Sequence, residues 1–240
     1  MLAHVFGPWT QWPEQDLIAF STEFDENLAV AAYCSGLFPM PLHQSGFEQE
    51  MGWWSPVMRG VLPLEDLRVT RSLRKNAKHY VTTVDADFEG VLAGCGDEAR
   101  EDGWIDEDIR RVYTGLHEKG VVHSVETWDG EGRLVGGLYG VAVNGLFAGE
   151  SMFHDPELGR DASKVALLRL VAMMRDGLPD RLLDVQWSTP HLASLGVAEV
   201  PRLTYLSLLD LAIEAPPINF EDSGRWGYPK LAGRLEDDDA

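Results

Sequence analysis

Along this chain apolar positions recur at helical spacing in some stretches and alternate in others, and the two periods separate the elements. Residues 23–36, EFDENLAVAAYCSG, place Leu28, Ala31 and Ala32 on one face and end on Gly36, a helix stop. Residues 71–79 read as a short helix behind a Thr70 cap, with Leu73 and Ala77 on the side that docks. Helices are expected again over 88–95 and over 106–119, where Ile109, Val112 and Leu116 keep the spacing after an Asp106 cap. Between 121 and 153 the period changes to two. VVHSVETW alternates, DGEG turns, RLVGGLYGVAV runs apolar, and Asn144-Gly145 is a hairpin signal before LFAGESMF, which predicts a three-strand antiparallel meander. The helix expected over 161–176 is apolar nearly all round and so largely buried, with Asp161 as its N-cap and Gly177 as its stop. A strand over 181–187, a short helix at HLASLG and a last strand at EVPRLTYL follow. Residues 38–63, with four prolines, read as irregular.

The order β-β-β-α-β-α-β predicts an α+β fold: a mixed β-sheet with helices packed on it, close to the layout of the GNAT acyltransferases. Fold at this level does not give function. The expected division is a small N-terminal α/β domain over 1–67, a GNAT-like domain over 68–220, and an extension over 221–240 whose acidic end, EDDDA, is expected to be disordered.

Composition narrows the classes. The 240 residues are 45% hydrophobic and 25% charged, an ordinary globular balance. Cys34 and Cys95 make no disulfide framework and no metal-ligand spacing, which fits a reducing cytoplasm. The N-terminus has no basic segment followed by an apolar one, and the longest uncharged stretch, 134–149, is too short and too glycine-rich for a membrane helix. A net charge of −19 argues against nonspecific nucleic-acid binding over the whole surface. Against it stands one local exception. Arg71, Arg74, Lys75 and Lys78 fall on one helical face with no acid between them, a stripe suited to phosphates.

Two strands carry the candidate chemistry. In LLDVQW, side chains alternate, so Asp184 and Gln186 share one face while Leu183, Val185 and Trp187 take the other. From spacing alone the pair reads as a polar knot closing the sheet. In LFAGESMF, Ala148, Glu150 and Met152 share a face opposite Phe147, Gly149, Ser151 and Phe153. His123 and His191 read as hydrogen-bonded structural histidines, and Ser194 lacks the surroundings of a nucleophile. The adjacent tryptophans of GWWSP read as core from sequence alone.

The segments GLFPM, WWSP, RSLRK, GWI, LHEKGVVHSVETW, LVGGLYGVA, LFAGESMF, DASKVAL, LLDVQW, HLASLG and VPRLTY occur in one order over about residues 24–207. In that order and spacing the chain resembles the bacterial leucyl/phenylalanyl-tRNA–protein transferases. Val185 stands where that family commonly has Cys, and the loop 154–161 is longer than usual.

The resemblance implies an aminoacyltransferase that takes Leu or Phe, with Met a further donor, from aminoacyl-tRNA. It joins that residue to the α-amine of proteins beginning with Arg or Lys and so marks them for the N-degron pathway. It implies no cofactor and no metal, and a cytoplasmic monomer that does not engage a membrane. It carries Asp184 and Gln186 over as the catalytic pair, with the carboxylate orienting the amide. Glu150, Phe147, Met152, Trp54 and Trp104 are carried over to the aminoacyl and adenosine site, and Arg71, Arg74, Lys75 and Lys78 to the tRNA phosphates. Phe147 and Met152 cannot both line a pocket from one regular strand, so a bulge near Gly149 is expected. The competing readings are a GNAT acetyltransferase using acetyl-CoA and a noncatalytic tRNA-binding protein. The first is disfavoured because HDPELGRDASK lacks a glycine-rich pyrophosphate loop.

Overall fold

The structure is a computed structural model that describes residues 5–42, 50–97, 105–222 and 224–236. Trp104 and the acidic residues 237–240 lie outside them. Near the N-terminus, Leu17–Ser21 (β1) is followed by the helix Glu26–Cys34 (α1), capped by Asp25 and stopped at Gly36, whose φ of +86° is one that glycine adopts without strain. Phe38–Pro41 (β2) and Met51–Trp54 (β3) join β1 in an antiparallel sheet of order β1-β3-β2. Met58–Val61 (β4) leaves it for a second, larger sheet. The prolines of 38–63 therefore punctuate three short strands rather than an irregular stretch. Pro39 and Pro41 sit on an edge strand, which tolerates a missing donor.

The middle of the chain follows its periodicity. Arg71–Ala77 (α2) is capped by Thr70, whose hydroxyl accepts from the Leu73 amide at 3.2 Å, and Leu73 and Ala77 are buried. Val81–Val84 (β5) comes next, a strand too short, between two helices, for its alternation to stand out in the sequence. Phe88–Cys95 (α3) and Glu107–Glu118 (α4) precede the meander Val122–Trp128 (β6), Leu134–Val143 (β7) and Leu146–His154 (β8). Ala162–Met174 (α5) is buried around most of its circumference, as its all-round apolar sequence requires. Asp161 does precede it, but in a left-handed conformation and without a side-chain cap.

After Leu182–Gln186 (β9) and the short Pro190–Ser194 helix (α6), Ala198–Pro201 (β10) gives way at once to Arg202–Glu214 (α7). The strand expected at EVPRLTYL is thus half helix. Pro201 fills the N-cap position, and Tyr205, Leu209 and Ala212 then bury one helical stripe. The extension holds a strand, Trp226–Gly227 (β11), and a helix, Tyr228–Glu236 (α8).

Among the described residues the larger sheet has eight strands in the order β10-β4-β9-β8-β7-β6-β5-β11. Every pair is antiparallel except β8 with β9, which run parallel across α5. The fold is a mixed α+β one. One apolar cluster packs α1, α3, α4 and α7 on one face of the sheet, and others pack α5, α2 and α8 on the opposite face. Among the described residues no helix is long and apolar enough to cross a membrane.

Candidate functional site

The site forms where the parallel strands separate. β8 and β9 pair only from Leu146 with Leu182 to Ala148 with Asp184. Beyond that point each strand breaks its own regularity. On β8, Tyr139 of β7 faces Ser151 while the next residue, Gly140, faces Gly149, so Glu150 is the extra residue of a β-bulge. Gly140 makes this possible, because a Cβ there would lie 2.3 Å from the Ala148 carbonyl. On β9, Gln186 adopts φ +59°, a left-handed conformation that costs a non-glycine residue about 1 kcal/mol or more.

The two irregularities open an apolar cavity of about 450 Å³ between the strands and α5. Phe147, Met152, Leu167, Leu170, Leu183 and Val185 contribute its walls. Phe147 and Met152 both line it because the Glu150 bulge reverses the alternation between them. Gln186, Glu150, Thr189 and His191 add polar groups to the lining. Val185, which alternation sends away from Gln186, also lines the cavity, since the left-handed turn at Gln186 brings the two round to one space. The same turn sends Trp187 back towards β2 and β3, where it meets Phe38 and Trp54 edge-on at 4.9 and 5.6 Å.

Behind the mouth runs a chain of hydrogen bonds. The Gln186 amide donates from Nε2 to Glu150 Oε1 at 3.2 Å. Tyr113, on α4, donates to Glu150 Oε2 at 3.1 Å, and its hydroxyl lies 2.5 Å from that of Tyr33 on α1. Burial pushes the Glu150 carboxyl up to about 8; Asp184 adds to the rise, while the two tyrosine hydroxyls and Arg59 oppose it. Asp184 is fully buried, and its partner is not the Gln186 side chain. Oδ1 accepts from the Gln186 backbone N–H at 3.0 Å. Arg59 on β4 holds the same carboxylate at both oxygens, Nε to Oδ1 at 2.8 Å and Nη2 to Oδ2 at 2.6 Å, and Tyr205 on α7 donates to Oδ2 at 2.9 Å. Burial alone would lower the Arg59 pKa, but the Asp184 carboxylate outweighs it and keeps the guanidinium charged.

The sequence-selected residues divide accordingly. Gln186, Glu150, Phe147 and Met152 line the cavity, and Asp184 lies behind it, bonded to the Gln186 backbone. Trp54 lies one residue behind it, through Trp187. Arg71, Arg74 and Lys75 of α2 and Lys78 just past it are exposed, away from the cavity lining. His123 is held structurally, with Asp85 at 2.6 Å and the Gly120 carbonyl at 3.1 Å. His191 lines the cavity. Arg59, Tyr33, Tyr113 and Tyr205 do not stand out in the sequence. Arg59 leaves one signal, a lone cation in the otherwise apolar VMRGVL, and Tyr113 another, a hydroxyl on the buried face of α4.

An apolar pocket with a carboxyl and an amide at its mouth, opened by two parting parallel strands, suits an apolar group held beside polar ones. The comparisons narrow the class. The family model described as leucyl/phenylalanyl-tRNA protein transferase matches residues 61–210, and that of the family's N-terminal domain matches 23–57. The chain is 45% identical over 200 residues to the leucyl/phenylalanyl-tRNA–protein transferase of Afipia carboxidovorans, covering 82% of this chain and 85% of that one. It is 44% identical over 198 residues to that of Rhodopseudomonas palustris, covering 81% and 85%. To that of Novosphingobium aromaticivorans it is 46% identical over 190 residues, covering 77% and 69%. The chain belongs to the leucyl/phenylalanyl-tRNA–protein transferase family. Among solved structures, L-PGS from Bacillus licheniformis aligns with a TM-score of 0.36 at 11% identity, over 69% of this chain and 54% of that one, too distant to bear on either fold or function.

Proposed function

We propose that this aminoacyltransferase takes leucine or phenylalanine from its tRNA and joins it to the α-amine of proteins beginning with Arg or Lys, marking them for the N-degron pathway. The observation that carries this reading is the apolar cavity of about 450 Å³ with Gln186 and Glu150 at its mouth. It suits an apolar aminoacyl side chain whose ester carbonyl sits at the polar rim. Methionine fits the same description as a further donor.

The aminoacyl ester is already activated, and an α-amine with a pKa of about 7.7–8 is largely a free nucleophile near neutrality. Holding the two together supplies most of the acceleration, on the order of 7–11 kcal/mol. The new C–N bond forms as the ester C–O bond breaks; the ribose hydroxyl leaves, taking up the proton that the amine loses. In this scheme the Gln186 carbonyl oxygen receives the amine's hydrogen bond while its NH₂ stays on Glu150. Glu150 also meets the donor's α-ammonium. Asp184 serves as a positioning residue: it fixes the Gln186 backbone, with Arg59 and Tyr205 holding it in place. Phe147 and Met152 shape the pocket, and Trp54 stacks on the terminal adenosine, at about 1–3 kcal/mol per base, a role the family resemblance also gives Trp104. Arg71, Arg74, Lys75 and Lys78 take tRNA phosphates.

The parallel β8-α5-β9 unit supports a GNAT-like arrangement for residues 68–220, with the three-stranded sheet and α1 as the N-terminal unit within 1–67. A cytoplasmic monomer without a cofactor completes the reading. The test is transfer of labelled leucine or phenylalanine from charged tRNA to a peptide beginning with Arg, beside acetyl-CoA with the same peptide. Transfer from tRNA alone supports the proposal, and acetylation without it overturns it.

A further inference from the structure

Residues 211–236 lie outside the stretch matched by the family model, and they end in an ordered strand and helix. β11 pairs with β5 at the sheet edge, Trp226 facing Thr82. α8 lies on α5, where its Leu231, Tyr228 and Leu235 join the apolar cluster that also holds Leu73 and Ala77 of α2. The two helices thus share one core against α5. Docking through Tyr228, Leu231 and Leu235 leaves Lys230 and Arg234, one turn apart, exposed. Lys78, which follows α2 directly, stands 5.9 Å from the Tyr228 ring of α8.

Lys230 is held in place. Its ammonium lies 3.9 Å from the Trp226 ring, which also carries the Arg169 guanidinium at 3.3 Å. Asp222 pairs with Lys230 at 3.1 Å, an ion pair exposed enough to exchange for a stronger anion. Lys230, Arg234, Arg71, Arg74, Lys75 and Lys78 are thus six exposed cations on or beside two helices that share one core, in a chain whose net charge is −19.

We infer that α8 adds a second row of RNA-phosphate contacts, Lys230 and Arg234, beside the α2 stripe. This rests on the proposed reading of α2 as tRNA-binding and extends it to a segment outside the matched region. The partner is the phosphate backbone of the tRNA body, not the aminoacyl end, so the row acts on tRNA affinity and leaves the chemistry untouched.

The experiment measures binding of uncharged leucine tRNA against salt for the full chain, for Lys230→Gln/Arg234→Gln, for Arg234→Gln alone, and for the quadruple alanine variant of α2. Transfer from a 3′-aminoacyl adenosine, which lacks the tRNA body, is measured in parallel. The double variant is expected to flatten the log–log salt slope by about 1–2 units, at roughly 0.7–0.9 for each phosphate no longer neutralised, and Arg234→Gln by about half of that. Transfer from the minimal donor is expected to stay at the parent rate. An unchanged slope in both α8 variants, with the α2 variant flattened, overturns this inference and leaves the α2 reading standing. Unchanged slopes in all three overturn both. Loss of transfer from the minimal donor by Arg234→Gln also overturns it, because the residue then acts through the fold.

Discussion

Asp184 holds the backbone of Gln186, not its side chain: Oδ1 accepts the Gln186 N–H at 3.0 Å while the amide reaches Glu150 instead. The carboxylate is itself gripped at both oxygens by Arg59. A left-handed residue at the mouth of the cavity is thereby stabilised by a buried ion pair behind it. The consequence for function is that Arg59, Asp184 and Tyr205 set where the Gln186 amide points.

Removing Arg59 is expected to be severe. Arg59→Met leaves the Asp184 carboxylate buried without its counter-charge, and breaking such a pair costs about 3–5 kcal/mol. Denaturant unfolding of the variant reads this directly. A destabilisation below about 1 kcal/mol would show that the pair is not what holds β4 against β9.

The left-handed backbone at Gln186 separates strain from chemistry. Gln186→Gly and Gln186→Ala both remove the amide, but only glycine accepts φ +59° without cost. The glycine variant is expected to be more stable than the alanine variant by about 1 kcal/mol, with transfer equally impaired in both. Equal thermal midpoints would mean that the conformation at 186 relaxes on substitution.

Much of this arrangement is legible in the sequence. α4, α5 and the β6–β8 meander follow directly from their periods, because one face of each is buried against the sheet. The conflict between Phe147 and Met152 points to a bulge, and the structure places it at Glu150. What stays hidden depends on contacts distant in sequence. Arg59 and Asp184 are 125 residues apart, and nothing local to either announces the other. The positive φ of Gln186 is likewise set by Asp184 and by the register against Gly60, not by any turn signal. β2, β3 and β4 escape sequence reading because four-residue strands between prolines carry too few alternations to register. The start of α7 reads as strand because Pro201 and a branched run imitate the end of one.

Glu150 gives the fold a distinctive pH dependence. Its carboxyl rises from 4.5 to about 8, so between those values the native state keeps a proton that the unfolded chain has lost. Stability therefore falls as pH rises through that window and levels off above it. Glu150→Gln removes the effect. Relative to the parent it is expected to gain about 1–3 kcal/mol between about pH 5 and about pH 9, allowing for the partly open mouth. Parallel stability curves for the two proteins would contradict the burial of this carboxyl.

On the proposed reading, pocket shape sets donor choice. Val185 lines the cavity and is only partly buried, so Val185→Phe narrows the space with little cost to the fold. Use of phenylalanine is expected to fall more than use of leucine, by about 10-fold or more, since a pocket contact of this size is worth about 1–3 kcal/mol. Competition between Leu-tRNA and Phe-tRNA for one acceptor peptide measures the ratio. An unchanged ratio would place the aminoacyl side chain elsewhere.

Aminoacyl transfer at the cavity mouth of Gln186 and Glu150 is checked by single-turnover transfer from Leu-tRNA to an Arg-initiated peptide, with the parent and Gln186→Ala compared at saturating tRNA. The variant's rate is expected to be lower by about 10²-fold or more, on the scale of one missing proton acceptor, with tRNA affinity within about twofold of the parent. A Gln186→Ala enzyme that transfers at the parent rate would contradict it.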